Sequence, residues 1–196
     1  SNDNSLTFLK ESYKEIILIS LDQNLGFAGG YNEGLKQINS KYYIIVNSDI
    51  EVTKNWIRPL IEVLKNNPEI VAVQPKIISY ENKSKFEYAG AAGGFIDYLG
   101  YPFCKGRVFD FTEHDEGQYN QYSEIFWASG ACMAIKSKEF IDVGGFDESF
   151  FAHMEEIDLC WRARDIGHTI TYCHNAKVYH IGGGSLAQGS YRKIWY

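Results

Sequence analysis

An α/β fold, with a mostly parallel sheet flanked by helices, is what this sequence predicts, and three observations lead there. Short β-branched or aromatic runs alternate with segments of helical spacing from Ser5 to Ser79, the signature of strand and helix taken in turn. The run Tyr42 to Val46 stops at a polar turn, Asn47-Ser48-Asp49, ahead of another helical segment, as strands do in α/β units. The chain has 196 residues, 45% of them hydrophobic and 22% charged, which suits one sizeable core, so a single domain over residues 1–196 is expected.

The elements follow in order. Leu6, Leu9 and Tyr13 stand at helical spacing and predict a helix over Ser5 to Tyr13, and Glu15 to Ser20 then reads as a short strand. The Gly-rich stretch Leu25 to Gly30 opens a second helix that ends near Ile38, and Tyr42 to Val46 is the next strand. Thr53 is placed to cap a helix running to about Asn66, and Val71 to Ser79 returns as a strand. From Glu81 to Gln121 periodicity gives way to Gly, Tyr, Phe and charged residues, which predict long loops with short strands. Glu124 to Ala128 and Gly130 to Ile135 are expected as strands, and Ser137 to Val143 as a short helix stopped by Gly144-Gly145. A helix over Met154 to Ile166 ends at Gly167, and strands follow near Thr169 to Cys173 and Lys177 to Ile181.

Composition excludes several classes of function. A formal net charge of −6 and a pI near 5.4 disfavour a phosphate-backbone binder, so no nucleic-acid partner is expected. Cys104, Cys132, Cys160 and Cys173 lack the short paired spacing of zinc or redox motifs and read as reduced, mostly buried thiols. Nothing at the start resembles a signal peptide, and a cytoplasmic compartment is expected. Apolar runs such as Tyr42 to Val46 fall far short of the roughly 18 residues of a membrane span. Any membrane association is therefore expected to be peripheral, at the cytoplasmic face and through parts outside this chain.

Several positions could carry chemistry. Asp49 directly follows a strand, where α/β sheets bind ligands, although an Asp that bonds its own turn explains the position equally well. The glycines from Gly26 to Gly34 could bring backbone N–H groups to a diphosphate or simply ease entry to a helix. Glu155, Glu156 and Asp158 crowd the first turn of a helix, where carboxylates favour the dipole, and Asp158 to Arg162 has the spacing of an ion pair. Glu155 and Glu156 diverge by about 100° on a helix, so one can face a pocket while the scaffold holds the other. Adjacent carboxylates do not suit a two-carboxylate glycosidase, whose pair flanks the scissile bond about 5–9.5 Å apart. His180 closes a strand ahead of Gly182-Gly183-Gly184 and is either structural or an imidazole ligand. Asp49, a helix-borne carboxylate and His180 together would suit Mg²⁺ or Mn²⁺ better than thiolate-bound zinc.

Taken in order, these stretches resemble the inverting glycosyltransferases of family 2, especially the rhamnosyltransferase-like branch that builds bacterial surface polysaccharides. The resemblance rests on NLGFAGGYNEGL at Asn24 to Leu35, IIVNSD at Ile44 to Asp49 and FIDYLGYPFCKGRVF at Phe95 to Phe109. It continues through WASGACMAIK at Trp127 to Lys136, GGFDESFFAHMEEIDLCWRAR at Gly144 to Arg164 and VYHIGGGS at Val178 to Ser185. It implies a GT-A fold in which Asp49 is the metal-binding residue of a DxD-like motif, with Asn47 in place of the first Asp. It makes Glu156 the general base, Glu155 its supporting carboxylate and His180 a second metal ligand. Asn24, Gly26, Gly29, Asn32, Asn47, Trp127, Ser129 and Gly130 map to the donor and acceptor regions, although a core Trp explains Trp127 equally well. The implied partners are a nucleotide-sugar donor, with rhamnose on thymidine diphosphate the best single guess, and a glycan or lipid-linked saccharide acceptor. The implied cofactor is a divalent metal.

Many relatives carry Asp where this chain has Glu156. Relatives also begin with strands and a helix that precede the stretch resembled by Ser1-Asn2-Asp3-Asn4, and they continue beyond Tyr191 to Tyr196. An N-terminally truncated fragment of the family domain, with part of the base pocket absent and low activity in isolation, is expected on that basis. Two other classes compete. A nucleotidyltransferase should carry a basic Gly-rich loop near its start, which this chain lacks, and a non-catalytic nucleotide- or carbohydrate-binding module should not need Asp49, Glu156 and His180 together.

Overall fold

The structure is a computed structural model that describes residues 4–182. Its elements in chain order are α1 (Ser5–Ser12), α2 (Gly26–Leu35), β1 (Tyr42–Val46), β2 (Ile50–Val52), α3 (Ile57–Asn66), β3 (Ile70–Ser79), β4 (Gly94–Ile96), β5 (Pro102–Cys104), β6 (Arg107–Val108), β7 (Phe111–Thr112), β8 (Ser123–Ile125), β9 (Cys132–Lys136), α4 (Ser137–Asp142), α5 (Glu155–Asp165) and β10 (Thr169–His180). Ser1 to Asp3, Gly183 to Ser185 and Tyr191 to Tyr196, all used in reading the sequence, lie outside the described residues.

The main sheet has the order β1-β9-β3-β10-β2, with β8 also on β10. Because side chains alternate along a strand, each strand feeds two apolar layers. Tyr43 and Ile45 of β1, with Met133 and Ile135 of β9, join Ala28 of α2, Phe140 of α4 and Leu159, Cys160 and Ala163 of α5. On the opposite face Val73 and Ala134 meet Leu60 and Leu64 of α3, with Tyr42 and Ile44 packed alongside. The sheet is thus covered by helices on both sides, as the class predicts.

Strand direction departs from the expectation of a mostly parallel sheet. The β3–β10 pair is parallel, whereas β1–β9, β3–β9, β10–β2 and β10–β8 are antiparallel. Parallel neighbours need a crossover connection, usually a helix. Here β9 enters the sheet from the long irregular stretch, and β2 follows β1 after the three-residue turn Asn47-Ser48-Asp49.

Other differences have local causes. Glu15 to Ser20 forms no strand: it is part of neither sheet, and Ile17 is 90% exposed. Thr53 does not cap α3; its hydroxyl donates to the Lys177 carbonyl at 2.7 Å and ties the end of β2 to β10. The two strands expected near Thr169 and Lys177 are halves of β10, joined across a register shift between Cys173 and Lys177. Within residues 81–121 the short strands form a second sheet, β4-β5-β6-β7. Buried Lys76 of β3 pins this region through Asp115 at 2.7 Å and Asn120 at 2.6 Å. The four cysteines are free and buried, and burial pushes the Cys132 and Cys160 thiols up to about 12. Among the described residues no helix is long and apolar enough to cross a membrane.

Candidate active site

The site begins with the register of β2 on β10. Antiparallel pairing sets His180 opposite Ile50, and the Ile181 N–H donates to the Asp49 carbonyl at 3.0 Å. The residue just before β2 and the last residue of β10 therefore meet: His180 Nε2 lies 3.3 Å from Asp49 Oδ1. On the other side of the ring, Nδ1 lies 3.3 Å from Glu87 Oε1, close enough for an ion pair but not aligned as a hydrogen bond. Burial alone would lower the pKa of this imidazole; the Glu87 carboxylate beside Nδ1, with Asp49 adding to it, outweighs that and raises it.

A second group arrives on α5. His153 and Met154 both take left-handed backbone angles, φ 74° and 71°, a conformation that costs about 1–3 kcal/mol for each such residue and tends to cluster at functional sites. This turn starts α5 at the cleft, with Glu155 and Glu156 both on its wall. Asp158 pairs with Arg162 at 2.6 Å, as its spacing predicts. Both Oε2 atoms are buried without a hydrogen-bond partner. Burial, then the neighbouring Glu156 charge, raises the Glu155 pKa to about 8. Burial also raises that of Glu156, against the opposing pull of backbone N–H groups that include Gly130.

A carboxyl whose pKa rises on folding stabilises the fold fully below its unfolded value, and that contribution is lost as pH climbs through the folded value. Metal-free protein is therefore expected to lose stability between about pH 5 and pH 9. Glu155→Gln should flatten that loss, gaining about 1 kcal/mol or more at the alkaline end, roughly 2–4 °C in Tm for a chain of this size. Scanning calorimetry across pH measures it, and parallel curves for the two proteins would count against the raised pKa.

The third wall is the entry to α2. Gly26 has φ 71°, and a Cβ there would stand 2.3 Å from the Phe151 carbonyl oxygen, so only glycine permits this approach. The Phe27 N–H donates to that carbonyl at 2.8 Å, and Asn24 Oδ1 accepts from the Gly26 N–H at 2.9 Å. The hydroxyl of Tyr31 donates to the Val46 carbonyl at 3.0 Å, fastening α2 to the end of β1.

These walls enclose a cleft of about 1010 Å³. It brings together Asn24, Gly26, Asn47, Asp49, Ser129, Gly130, Glu155, Glu156 and His180 from the predicted set. Gly29, Asn32 and Trp127 are not among the lining residues, which corrects their expected placement at the substrate. Gly29 is buried, with no room for a Cβ beside Leu25. Asn32 acts as a staple between α2 and the segment before α5: its Nδ2 donates to the Phe146 carbonyl at 2.8 Å, and its Oδ1 accepts from the Phe146 N–H at 3.0 Å. Trp127 is a core residue, 6% exposed, with its ring against Gly94 and its indole N–H donating to the Phe95 carbonyl at 2.9 Å.

Two polar residues at the site escaped the sequence reading. Glu87 lies in the aperiodic stretch and carried no signal. Gln74 did carry one, as a polar residue inside the apolar run of β3. Its buried amide accepts from the Ser129 N–H at 2.8 Å and donates to the Gly90 carbonyl at 2.9 Å, fixing the backbone of the Ser129-Gly130 wall.

Among the described residues no group of three or more His, Cys, Asp or Glu side chains is arranged to hold a metal ion. Asp49 and His180 offer one carboxylate and one imidazole on the same cleft wall. That donor set fits an ion of the Mg²⁺ or Mn²⁺ kind, which commonly takes one or two protein ligands and completes its shell with phosphate oxygens and water.

The profile described as Glycosyl transferase family 2 matches residues 1–144. The low-salt glycan biosynthesis hexosyltransferase Agl10 of Haloferax volcanii is 27% identical over 174 residues, covering 86% of this chain and 53% of that protein. The N-acetylglucosaminyl-diphospho-decaprenol L-rhamnosyltransferase of Mycobacterium tuberculosis is 25% identical over 196 residues, covering 92% of this chain and 63% of that protein. The chain thus spans between half and two thirds of the length of these relatives. A crystal structure of GalNAc-T7 with UDP, GalNAc and Mn²⁺ superposes with a TM-score of 0.70 at 14% identity, covering 92% of this chain and 36% of that one. At that identity the likeness establishes the fold, which is GT-A.

Proposed function

The chain belongs to glycosyl transferase family 2, and on that premise we propose that it moves a sugar from a nucleoside diphosphate to a hydroxyl of a glycan or lipid-linked saccharide. The observation that carries this reading is the single cleft in which an Asp49–His180 pair and the Glu155–Glu156 pair, far apart in sequence, share one wall system with the open entry to α2. In this reading residues 1–196 belong to one catalytic domain, working at the cytoplasmic face of a membrane in surface polysaccharide assembly.

Asp49 and His180 would hold a Mg²⁺ or Mn²⁺ ion, which neutralises negative charge on the departing diphosphate. Asn24, Gly26 and Asn47 line the donor side of the cleft. Glu156, with one oxygen unpaired, takes the proton from the acceptor hydroxyl as that oxygen attacks the anomeric carbon opposite the leaving group. A pKa raised by burial makes a carboxylate a stronger base than an exposed one. Glu155 shares the buried pocket and holds a proton, so that only one charge resides there. Ser129 and Gly130 shape the wall beside Glu156, where the Gly130 Cα faces the Glu156 Cβ. Attack and departure on opposite faces give a single displacement with inversion.

Rhamnose on thymidine diphosphate is the favoured donor, supported by the sequence resemblance to the rhamnosyltransferase-like branch and by the mycobacterial relative's name. Incubation with a panel of uridine- and thymidine-diphosphate sugars, without acceptor, tests the reading through slow transfer to water. Proton NMR before mutarotation should show diphosphate release and a sugar of inverted configuration from one donor in the panel. A product of retained configuration would contradict the displacement.

A further inference from the structure

We infer that Glu87 is a positioning residue for the Asp49–His180 pair: it takes the Nδ1 side of His180 and thereby turns Nε2 toward Asp49 and the cleft. The inference rests on the metal role proposed above and extends it to a residue outside the motifs.

The geometry begins in β3. Beyond Ser79 the chain doubles back: the Ser79 N–H donates to the Lys85 carbonyl at 2.9 Å, and the Glu87 N–H donates to the Ile77 carbonyl at 3.1 Å. Ile78 and Phe86 form an isolated bridge between these donors. Glu87 is thus set by backbone pairing to the end of β3, which lies beside β10 in register, with His180 opposite Ser79. Alternation does the rest, delivering the Glu87 carboxylate to the His180 ring.

Each oxygen of that carboxylate has a distinct task. Oε2 accepts the N–H of Ala89, two residues on, which fixes the rotamer. Oε1 faces His180 Nδ1 at 3.3 Å. Glu87 is only 7% exposed, and among the described residues it makes no ion pair with Lys or Arg. Among the described residues its polar neighbours are the Ala89 N–H and the His180 ring. The neighbouring backbone preserves this placement: Gly182 has φ 69°, and a Cβ there would stand 3.1 Å from Glu87 Oε1.

A neutral imidazole binds an ion through Nε2 when its proton resides on Nδ1, and a carboxylate 3.3 Å from Nδ1 favours that tautomer and restrains the ring angle. Among the described residues Glu87 is the carboxylate paired with the Nδ1 side of the ring, and Asp49 is paired with the other. A fixed carboxylate–imidazole–carboxylate line thus ends at the cleft.

The test is calorimetric titration of the chain with uridine and thymidine diphosphates, with and without Mn²⁺, for wild type, Glu87→Gln and Glu87→Ala. Glu87→Ala is expected to weaken Mn²⁺-dependent binding about 10- to 100-fold, with a smaller change in binding without Mn²⁺. Glu87→Gln keeps an oxygen near Nδ1 and the shape of the site, and should fall between wild type and Glu87→Ala. Because it preserves packing, it also guards against loss of fold, which circular dichroism monitors. Wild-type Mn²⁺ dependence retained in full by both variants would overturn the role of Glu87 alone. Nucleotide binding by wild type that is indifferent to Mn²⁺ would overturn this inference together with the metal reading beneath it.

Discussion

Glu156→Gln is expected to lower kcat by about 10²- to 10⁴-fold, the usual contribution of a general base, with donor affinity held within a few-fold. Glutamine matches glutamate in volume and retains an oxygen toward the backbone N–H groups that include Gly130, so the wall of the cleft should persist. What disappears, on the proposed mechanism, is a site for the proton of the acceptor hydroxyl. A defect in kcat at constant donor binding marks an interaction made in the transition state. The pH profile adds a second signature. The base must be deprotonated to act, and burial raises its pKa, so the acid limb of kcat/KM should lie above the ordinary carboxylate range. That limb should vanish in Glu156→Gln. A change confined to KM would instead make Glu156 a binding residue.

Asp49→Ala is expected to act on binding. Groups that merely support a metal ligand are worth about 10- to 100-fold in affinity, so removing Asp49, a direct ligand in the proposed function, should reduce Mn²⁺-dependent binding of a nucleoside diphosphate by about a hundredfold or more. The fold should tolerate the change, because the backbone contact that joins this corner, Ile181 N–H to Asp49 carbonyl at 3.0 Å, does not involve the side chain. The side chain is also partly open to the cleft, at 23% exposure. Equilibrium dialysis against Mn²⁺ and uridine diphosphate measures the effect, and unchanged binding would remove Asp49 from the metal role.

The elements that periodicity makes legible are those with their own pattern: Ile57–Asn66 as an amphipathic helix, Tyr42–Val46 and Ile70–Ser79 as apolar strands. Strand direction is not written in such patterns, and β9 inserts antiparallel between β1 and β3 because of where the irregular stretch delivers it. Ile50–Val52 is only three residues long, too short for a period, yet its pairing with β10 is what sets Asp49 against His180. The site therefore shows in sequence as separate candidates and becomes a geometry only through a strand that the sequence hides.

Individual residues divide along the same line. Glu155, Glu156, Asp49 and His180 stood out by type and position, and the cleft collects all of them. Asn32 and Trp127 stood in equally suggestive motifs but serve packing, because Asn32 has both ends of its amide bonded to the Phe146 backbone and Trp127 fills the space above Gly94. A motif records that a residue type is needed, and only the contacts say whether the ligand or the scaffold needs it. Glu87 shows the converse, a buried carboxylate at the site in a stretch without any regular pattern.

The claim at the centre is that one cleft holds two separable devices, a metal pair that binds the donor and a carboxylate that takes the acceptor proton. Calorimetric titration of one nucleoside diphosphate, with and without Mn²⁺, into wild type, Asp49→Ala and Glu156→Gln tests it most directly. The expected result is Mn²⁺-dependent binding in wild type and in Glu156→Gln, and its loss in Asp49→Ala. Binding in wild type that ignores Mn²⁺, or equal loss in both variants, would contradict it.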